Sequence, residues 1–268
     1  MPSDLIKNSI NQINIDTQKE MMKRIVIVGA TSGIAKECAR IWVKESAVDL
    51  TLVVRDVART QPLIADLQVR SPHSKIEAVA VDFNDATAIH NLVEEVYHSR
   101  TIDNVLIAHG TLPDQADCEQ DLNLCKETLE INGVSPCLFA EAFAGVMQNQ
   151  GKGNIAIIGS VAGDRGRKSN YIYGAAKGLV SRYSQGMQHR FASTRLQITL
   201  IKPGPTATPM TEKMRAKGMK MAPVDQVAKE IVDGIAKGKS VIYTPGKWQI
   251  IMLIIQHLPS FVFNKLNI

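Results

Sequence analysis

Cysteine is scarce, with four in 268 residues. Cys38, Cys118, Cys125 and Cys137 form no C-x-x-C pair and no zinc-ligand spacing, which argues against a disulfide framework or a metal site. No metal is expected, and a reducing cytoplasm is the simplest compartment. Long apolar runs are missing too. The closest is Ile250 to Ile255, six residues, far short of the ~18 that suggest a spanning helix. There is no dense basic stripe, because 31 Lys+Arg against 26 Asp+Glu leave only +5, spread along the chain, so nucleic acid is not an expected partner. No low-complexity linker and no period of 20–50 residues divide the chain. Residues 1–20 are polar and fail as a signal peptide, which leaves them as a mobile extension.

With 45% hydrophobic and 21% charged residues the rest suits a globular chain. From Lys23 onward, short β-branched runs alternate with longer helical patterns. The strand candidates are Arg24–Val28, Leu50–Val54, Ile76–Val81, Asn104–Ala108, Asn154–Gly159, Gln197–Ile201 and Ser240–Tyr243. They are apolar almost throughout, as expected for parallel strands covered on both faces. Between them Gly33–Lys44, Ala86–Tyr97, Tyr173–Arg190 and Val224–Ala236 repeat apolar positions at three- and four-residue steps. The expected fold is a single Rossmann-type, doubly wound α/β domain of about seven parallel strands over residues 21–247, followed by an apolar tail, 248–268. Ligands then bind beyond the carboxyl ends of the strands, where strand order reverses.

The residues after the strands carry the chemistry. Gly29-Ala30-Thr31-Ser32-Gly33-Ile34-Ala35 is a tight turn feeding a helix, where small residues admit a pyrophosphate to the free N–H groups. After the second strand, Arg55 suits a 2′-phosphate and points to NADPH, while Asp56 keeps NADH open. Asp82 follows the third strand, where it can bond an adenine amino group or cap a helix. Tyr173 and Lys177 stand one helical turn apart, a spacing expected to lower the phenol's pKa, and Ser160 follows a strand where it can hold a substrate oxygen. This set fits interconversion of a carbonyl and an alcohol.

The ordered series, glycine turn, Asn132, Ser160, Tyr173 and Lys177, resembles the short-chain dehydrogenase/reductase family from Lys23 to about Gly246. The resemblance implies a catalytic tetrad Asn132, Ser160, Tyr173 and Lys177. It also implies a cofactor site from Gly29, Thr31, Ser32, Gly33, Ile34, Arg55, Asp82, Phe83, Ala108, Gly110, Tyr173, Lys177, Pro203, Gly204, Thr206 and Thr208. Asn132 is expected to hold a water connecting Lys177 to solvent. Two departures stand out: Ile107-Ala108-His109-Gly110 replaces the family's N-N-A-G, and Ala35 replaces a glycine. His109 is read as a cleft-wall residue.

Substrate residues are expected in the loop Gly163-Asp164-Arg165-Gly166-Arg167-Lys168, where Arg165 and Arg167 can hold an anion, and in a lid with Met210 and Met214. The loop, the Y-I-Y-G-A-A-K core and the closing H-L-P-S-F-V-F-N-K-L-N-I resemble a narrower branch, the keto-sugar reductases of the decaprenylphosphoryl-ribose epimerase system. That branch implies a 2-keto sugar on a polyprenyl phosphate, and a tail that contacts the inner face of a membrane or another subunit. The family implies a homo-dimer or homo-tetramer. A soluble 3-ketoacyl or small-ketone reductase, and a cofactor-sensing binding protein without catalysis, stay open as alternatives.

Overall fold

The computed structural model describes residues 22–266, so the extension 1–20 and the last two residues of the tail lie outside the described residues. Seven parallel strands form one sheet in the order β3-β2-β1-β4-β5-β6-β7. They are β1 (Lys23–Val28), β2 (Val48–Val54), β3 (Lys75–Ala80), β4 (Asn104–Ile107), β5 (Lys152–Ile158), β6 (Arg195–Pro203) and β7 (Val241–Thr244). The expected strands all appear, displaced by two residues at most at their ends. In β1 the pleat explains the unbroken apolar run. Val26 and Val28 face one core with Phe139, Phe143 and Ile89, while Ile25 and Ile27 face the other with Trp42, Val43 and Ile231. Each such buried side chain contributes roughly 1.5–3 kcal/mol, so a polar residue on either face of β1 is destabilising.

Helices α1 (Gly33–Glu45), α2 (Gln61–Arg70) and α9 (Val224–Ala236) lie on the side of the second core. Helices α3 (Ala86–Ser99), α6 (Ser135–Gln150) and α7 (Tyr171–Arg190) cover the other face. Short helices α4 (Gln115–Gln120) and α5 (Leu122–Leu129) precede α6, and α8 (Glu212–Ala216) lies between β6 and α9. Asp85 starts α3 by accepting from the N–H groups of Thr87 and Ala88, and Asp121 starts α5 the same way. The chain order reverses between β1 and β4, which pair directly, and this opens the crevice beyond their carboxyl ends.

The tail folds as α10 (Lys247–His257) and α11 (Ser260–Phe263). Met252 of α10 is fully buried, and the Trp248 indole presses on the backbone of Gly204. Among the described residues no helix is long and apolar enough to cross a membrane.

Candidate active site

A cleft of about 500 Å³ runs along the carboxyl ends of the central strands. At one end lies the glycine turn. Gly29 has φ +76°, and a Cβ on it would stand 2.6 Å from the Cβ of His109, so the turn can pass under β4 only without a side chain. A Cβ at Gly33 would meet Thr208 Cγ2 at 2.9 Å. Helix α1 begins here with no side-chain cap at Ser32 and no carboxylate in its first turn. Other helices of this chain are capped by aspartate, whereas α1 leaves its N–H groups and positive dipole end open to an anion. A pyrophosphate fits that bare cradle.

Beyond β2, Arg55, Asp56 and Arg59 line the same end. Asp56 Oδ1 accepts from the N–H of Ala58 at 2.9 Å, closing its own turn. Asp82 does likewise, accepting from Asn84 N at 2.9 Å, with Phe83 beside it. Arg55 and Arg59 have neither an ion pair nor a side-chain hydrogen bond among the described residues. Arg59, one turn past Arg55, escaped the sequence reading; its i+4 spacing was the available signal.

The middle of the cleft holds Ala108, His109 and Gly110. His109 is buried; its Nε2 lies 2.9 Å from Ser135 Oγ, and that hydroxyl donates to Phe83 O at 2.5 Å. Because the Ser135 proton is committed to a carbonyl, Nε2 must be the donor and Nδ1 the bare acceptor. Nδ1 has no partner among the described residues. The ring packs against Phe83 and Phe139 with centroids 4.7 and 5.6 Å away. Burial first, then the positive charges of Lys177 and Arg55, push its pKa down to about 3, so it stays neutral. A neutral imidazole with one nitrogen locked in the wall is a poor acid or base near pH 7.

Asn132, Ser160, Tyr173 and Lys177 converge at the base of the cleft. Asn132 sits in a π-helical turn, Glu130–Val134, between α5 and α6. That local widening sets its carboxamide on the β4 loop: Oδ1 accepts from Thr111 N at 2.9 Å, and Nδ2 donates to Thr128 O at 3.0 Å and Thr111 Oγ1 at 3.3 Å. Both amide protons are therefore committed. The side chain pins the loop after β4, and the expected water relay can use only a remaining lone pair of Oδ1 or the backbone.

Lys177 Nζ donates to Ile158 O at 3.0 Å and lies 5.9 Å from the centroid of the Tyr173 ring. Burial lowers its pKa to about 8. Tyr173 departs from the expectation: burial raises its pKa to about 12, and the hydrogen bond from Ser160 offsets only part of that. Lys177 contributes no lowering that offsets the desolvation, so the lowered pKa expected from the Y-x-x-x-K spacing is not found. At neutral pH the phenol keeps its proton.

The remaining expected residues fall on the walls. Pro203, Gly204, Thr206 and Thr208 line one side; Met210, Met214 and Met219 line the lid, with Trp248 beside them. Trp248 was unforeseen in this role, because nothing local in the tail signals that it folds back. Arg167 lines the cleft together with Asn170. Arg165 does not. Its Nη1 donates to Ile255 O and Leu258 O, both at 2.6 Å, and its guanidinium stacks 3.8 Å from the centroid of Phe263. The carbonyls left open at the end of α10 draw it away from the cleft, which corrects the expectation of a substrate residue there.

Residues 23–218 match the short chain dehydrogenase family. The chain is 28% identical over 246 residues to an uncharacterized oxidoreductase of Mycobacterium tuberculosis, covering 90% of this chain and 96% of that one. It is 25% identical over 247 residues to an uncharacterized oxidoreductase of Streptomyces coelicolor, covering 91% and 96%. Among solved structures, it superposes with a TM-score of 0.77 on a short-chain dehydrogenase from Sphingobium yanoikuyae in complex with NADPH, at 22% identity over 89% of this chain and 97% of that one. A variant of the actinorhodin polyketide ketoreductase with NADPH gives 0.74 at 19% identity, over 84% and 96%. These structural likenesses concern the fold. With the family match spanning most of the length and the Ser160, Tyr173 and Lys177 cluster at the base of the crevice, the chain belongs to the short-chain dehydrogenase family.

Proposed function

We propose that the chain is an NADPH-dependent oxidoreductase that reduces a carbonyl to a secondary alcohol, with Tyr173 as the proton donor. The observation that carries this reading is the convergence of the Tyr173 phenol with Ser160 and Lys177 in one cleft whose other end is a bare glycine cradle. Bound nicotinamide supplies the hydride chemistry. Ser160 holds the substrate oxygen against the phenol, Tyr173 gives it the proton, and Lys177 offsets the negative charge left on the tyrosine. By family resemblance Lys177 also bonds the nicotinamide ribose. Arg55 and Arg59 take a 2′-phosphate, while Asp56 is occupied by its own turn, which favours NADPH over NADH.

The substrate reading we propose is a polyprenyl-phosphate-linked 2-keto sugar. The narrower resemblance suggests it, and a surface feature supports it: Ile250, Leu253, Ile254 and Phe261 on α10 and α11 are 58–72% exposed, on the tail whose Trp248 lines the cleft. That face suits peripheral contact with the inner leaflet of a membrane, and residues 248–268 then form a membrane-facing tail on the catalytic domain of 21–247. Exposed Leu129, Val134 and Leu179 on the helices around the site suit a homo-oligomer.

Fluorescence titration with NADPH and NADH, followed by a carbonyl panel, tests the reading. Tighter NADPH binding with turnover only on a lipid-linked keto sugar supports it in full. Turnover on 3-ketoacyl thioesters or small ketones without lipid leaves a soluble reductase. Binding with no turnover on any carbonyl leaves a cofactor sensor. The Tyr173→Phe variant is expected to bind NADPH normally with kcat reduced by about 10³-fold or more; retained turnover overturns the role of Tyr173.

A further inference from the structure

We propose that Arg167 forms an oxyanion subsite that selects carbonyl substrates carrying a phosphate or carboxylate group. The proposal rests on the reductase reading and adds a substrate class to it. Arg167 lies in the loop between Ser160 and Tyr173 and lines the cleft on that side. Its guanidinium has no ion pair, and its Nε is buried with no hydrogen-bond partner among the described residues. A half-buried, unpaired guanidinium is costly unless a ligand completes it. Burial does depress its pKa, yet an arginine so exposed to water on one side stays charged.

The surroundings give that charge no ion pair and no side-chain hydrogen bond among the described residues. Asp164, the loop's one acid, is spent in a buried cluster: Lys202 Nζ lies 2.5 Å from its Oδ1, and the Tyr243 hydroxyl donates to Oδ2 at 2.9 Å. Its hydrogen bonds go to Lys202 and Tyr243, and it acts on Arg167 only through space, too weakly to offset the cost of burial. The two carboxylates that line the cleft, Asp56 and Asp82, belong to the far end beyond β2 and β3 and accept from their own turns. Beside Arg167, Asn170 also presents a buried Oδ1 without a partner among the described residues, although it stands at the start of α7, where an asparagine would ordinarily cap the helix. Two polar side chains next to the proton donor are thus left with open valences, and only one of them is charged. An oxyanion on the substrate satisfies Arg167, while Asn170 Oδ1, an acceptor, is left for a hydroxyl of the substrate.

The experiment compares matched probes on the Tyr173→Phe background, which binds without turning over. Dissociation constants are measured calorimetrically for D-ribulose against D-ribulose 5-phosphate, and for ethyl acetoacetate against acetoacetate, with and without NADPH. The expected result is a roughly 10- to 100-fold preference for at least one anionic member, with the phosphate and carboxylate pairs separating the two chemistries. Arg167→Gln should abolish the preference and Arg167→Lys restore part of it. Inorganic phosphate should compete with the anionic probe on the chain with native Arg167, which keeps the test valid if Arg167→Gln fails to fold. Equal affinities within both pairs, or a preference unchanged in Arg167→Gln, overturns the subsite. Failure of NADPH to bind strikes the reductase reading alone, because the same ratios are read without cofactor.

Discussion

Lys177→Met should make the cofactor-free protein more stable and inactive. The lysine is almost wholly buried, and burial lowers its pKa from 10.5 to about 8. That depression corresponds to the charged lysine destabilising the fold by about 3 kcal/mol at neutral pH. Methionine fills nearly the same space without the charge. Losing the hydrogen bond to Ile158 O returns about 1–2 kcal/mol, so the variant should gain roughly 1–2 kcal/mol at pH 7. The pH dependence carries the sign. Below pH 8 the lysine is protonated in both states and the penalty is complete. Between about 8 and 10.5 only the unfolded chain holds the proton, so the stability of the native sequence rises with pH and the gap closes. Above 10.5 the charge term is gone and the lost hydrogen bond leaves the variant less stable. Tyr173 acts in the opposite sense above pH 10, but it does so in both proteins and cancels in the comparison. Urea denaturation at pH 6.5, 9 and 10.5 reads this directly. A variant less stable at pH 6.5, or a gap that does not change with pH, refutes the reasoning.

Three other variants probe other parts of the site. Gly29→Ala adds a Cβ at φ +76° within 2.6 Å of His109, so it should lose roughly 2–4 kcal/mol in urea denaturation and weaken NADPH binding. The double variant Arg55→Ala and Arg59→Ala should lower NADPH affinity by roughly 10- to 100-fold and leave NADH nearly unchanged in fluorescence titration. Arg165→Ala removes the bonds to Ile255 O and Leu258 O and the stacking on Phe263, so limited trypsin digestion should cut at Lys247 and Lys265 faster while the sheet stays intact.

The strands were legible because burial on both faces writes an unbroken apolar run, as in Ile25–Val28, where every residue is buried. The glycine turn, Ser160, Tyr173 and Lys177 were legible because their roles depend on position relative to strand ends and on helical spacing, both local properties of the chain. Direction across a loop is not local. Arg165 and Arg167 stand two residues apart in one basic stretch, yet one caps α10 and the other lines the cleft. What separates them is Asp164, held by Lys202 and Tyr243 from strands 38 and 79 residues further on. No window around the loop contains that information. Trp248 and Arg59 escaped for related reasons, the first because a tail folds back, the second because it lies on a short turn that only the cleft gives a purpose.

The phenol of Tyr173 shows how spacing and depth differ. Four residues along a helix place Tyr173 and Lys177 on one face, and this pattern suggests a cation that lowers the phenol's pKa. The pattern fixes separation along the axis but not how far each tip sits from water. In the folded chain Nζ turns to Ile158 O, leaving 5.9 Å between the ammonium and the centroid of the partly buried Tyr173 ring. Desolvation then dominates for each group, raising the phenol and lowering the ammonium. The cluster rests with its proton on the tyrosine and a strained charge on the lysine. Moving that proton to a substrate oxygen creates a phenolate, and the lysine on the same helix face is the cation available to offset its charge.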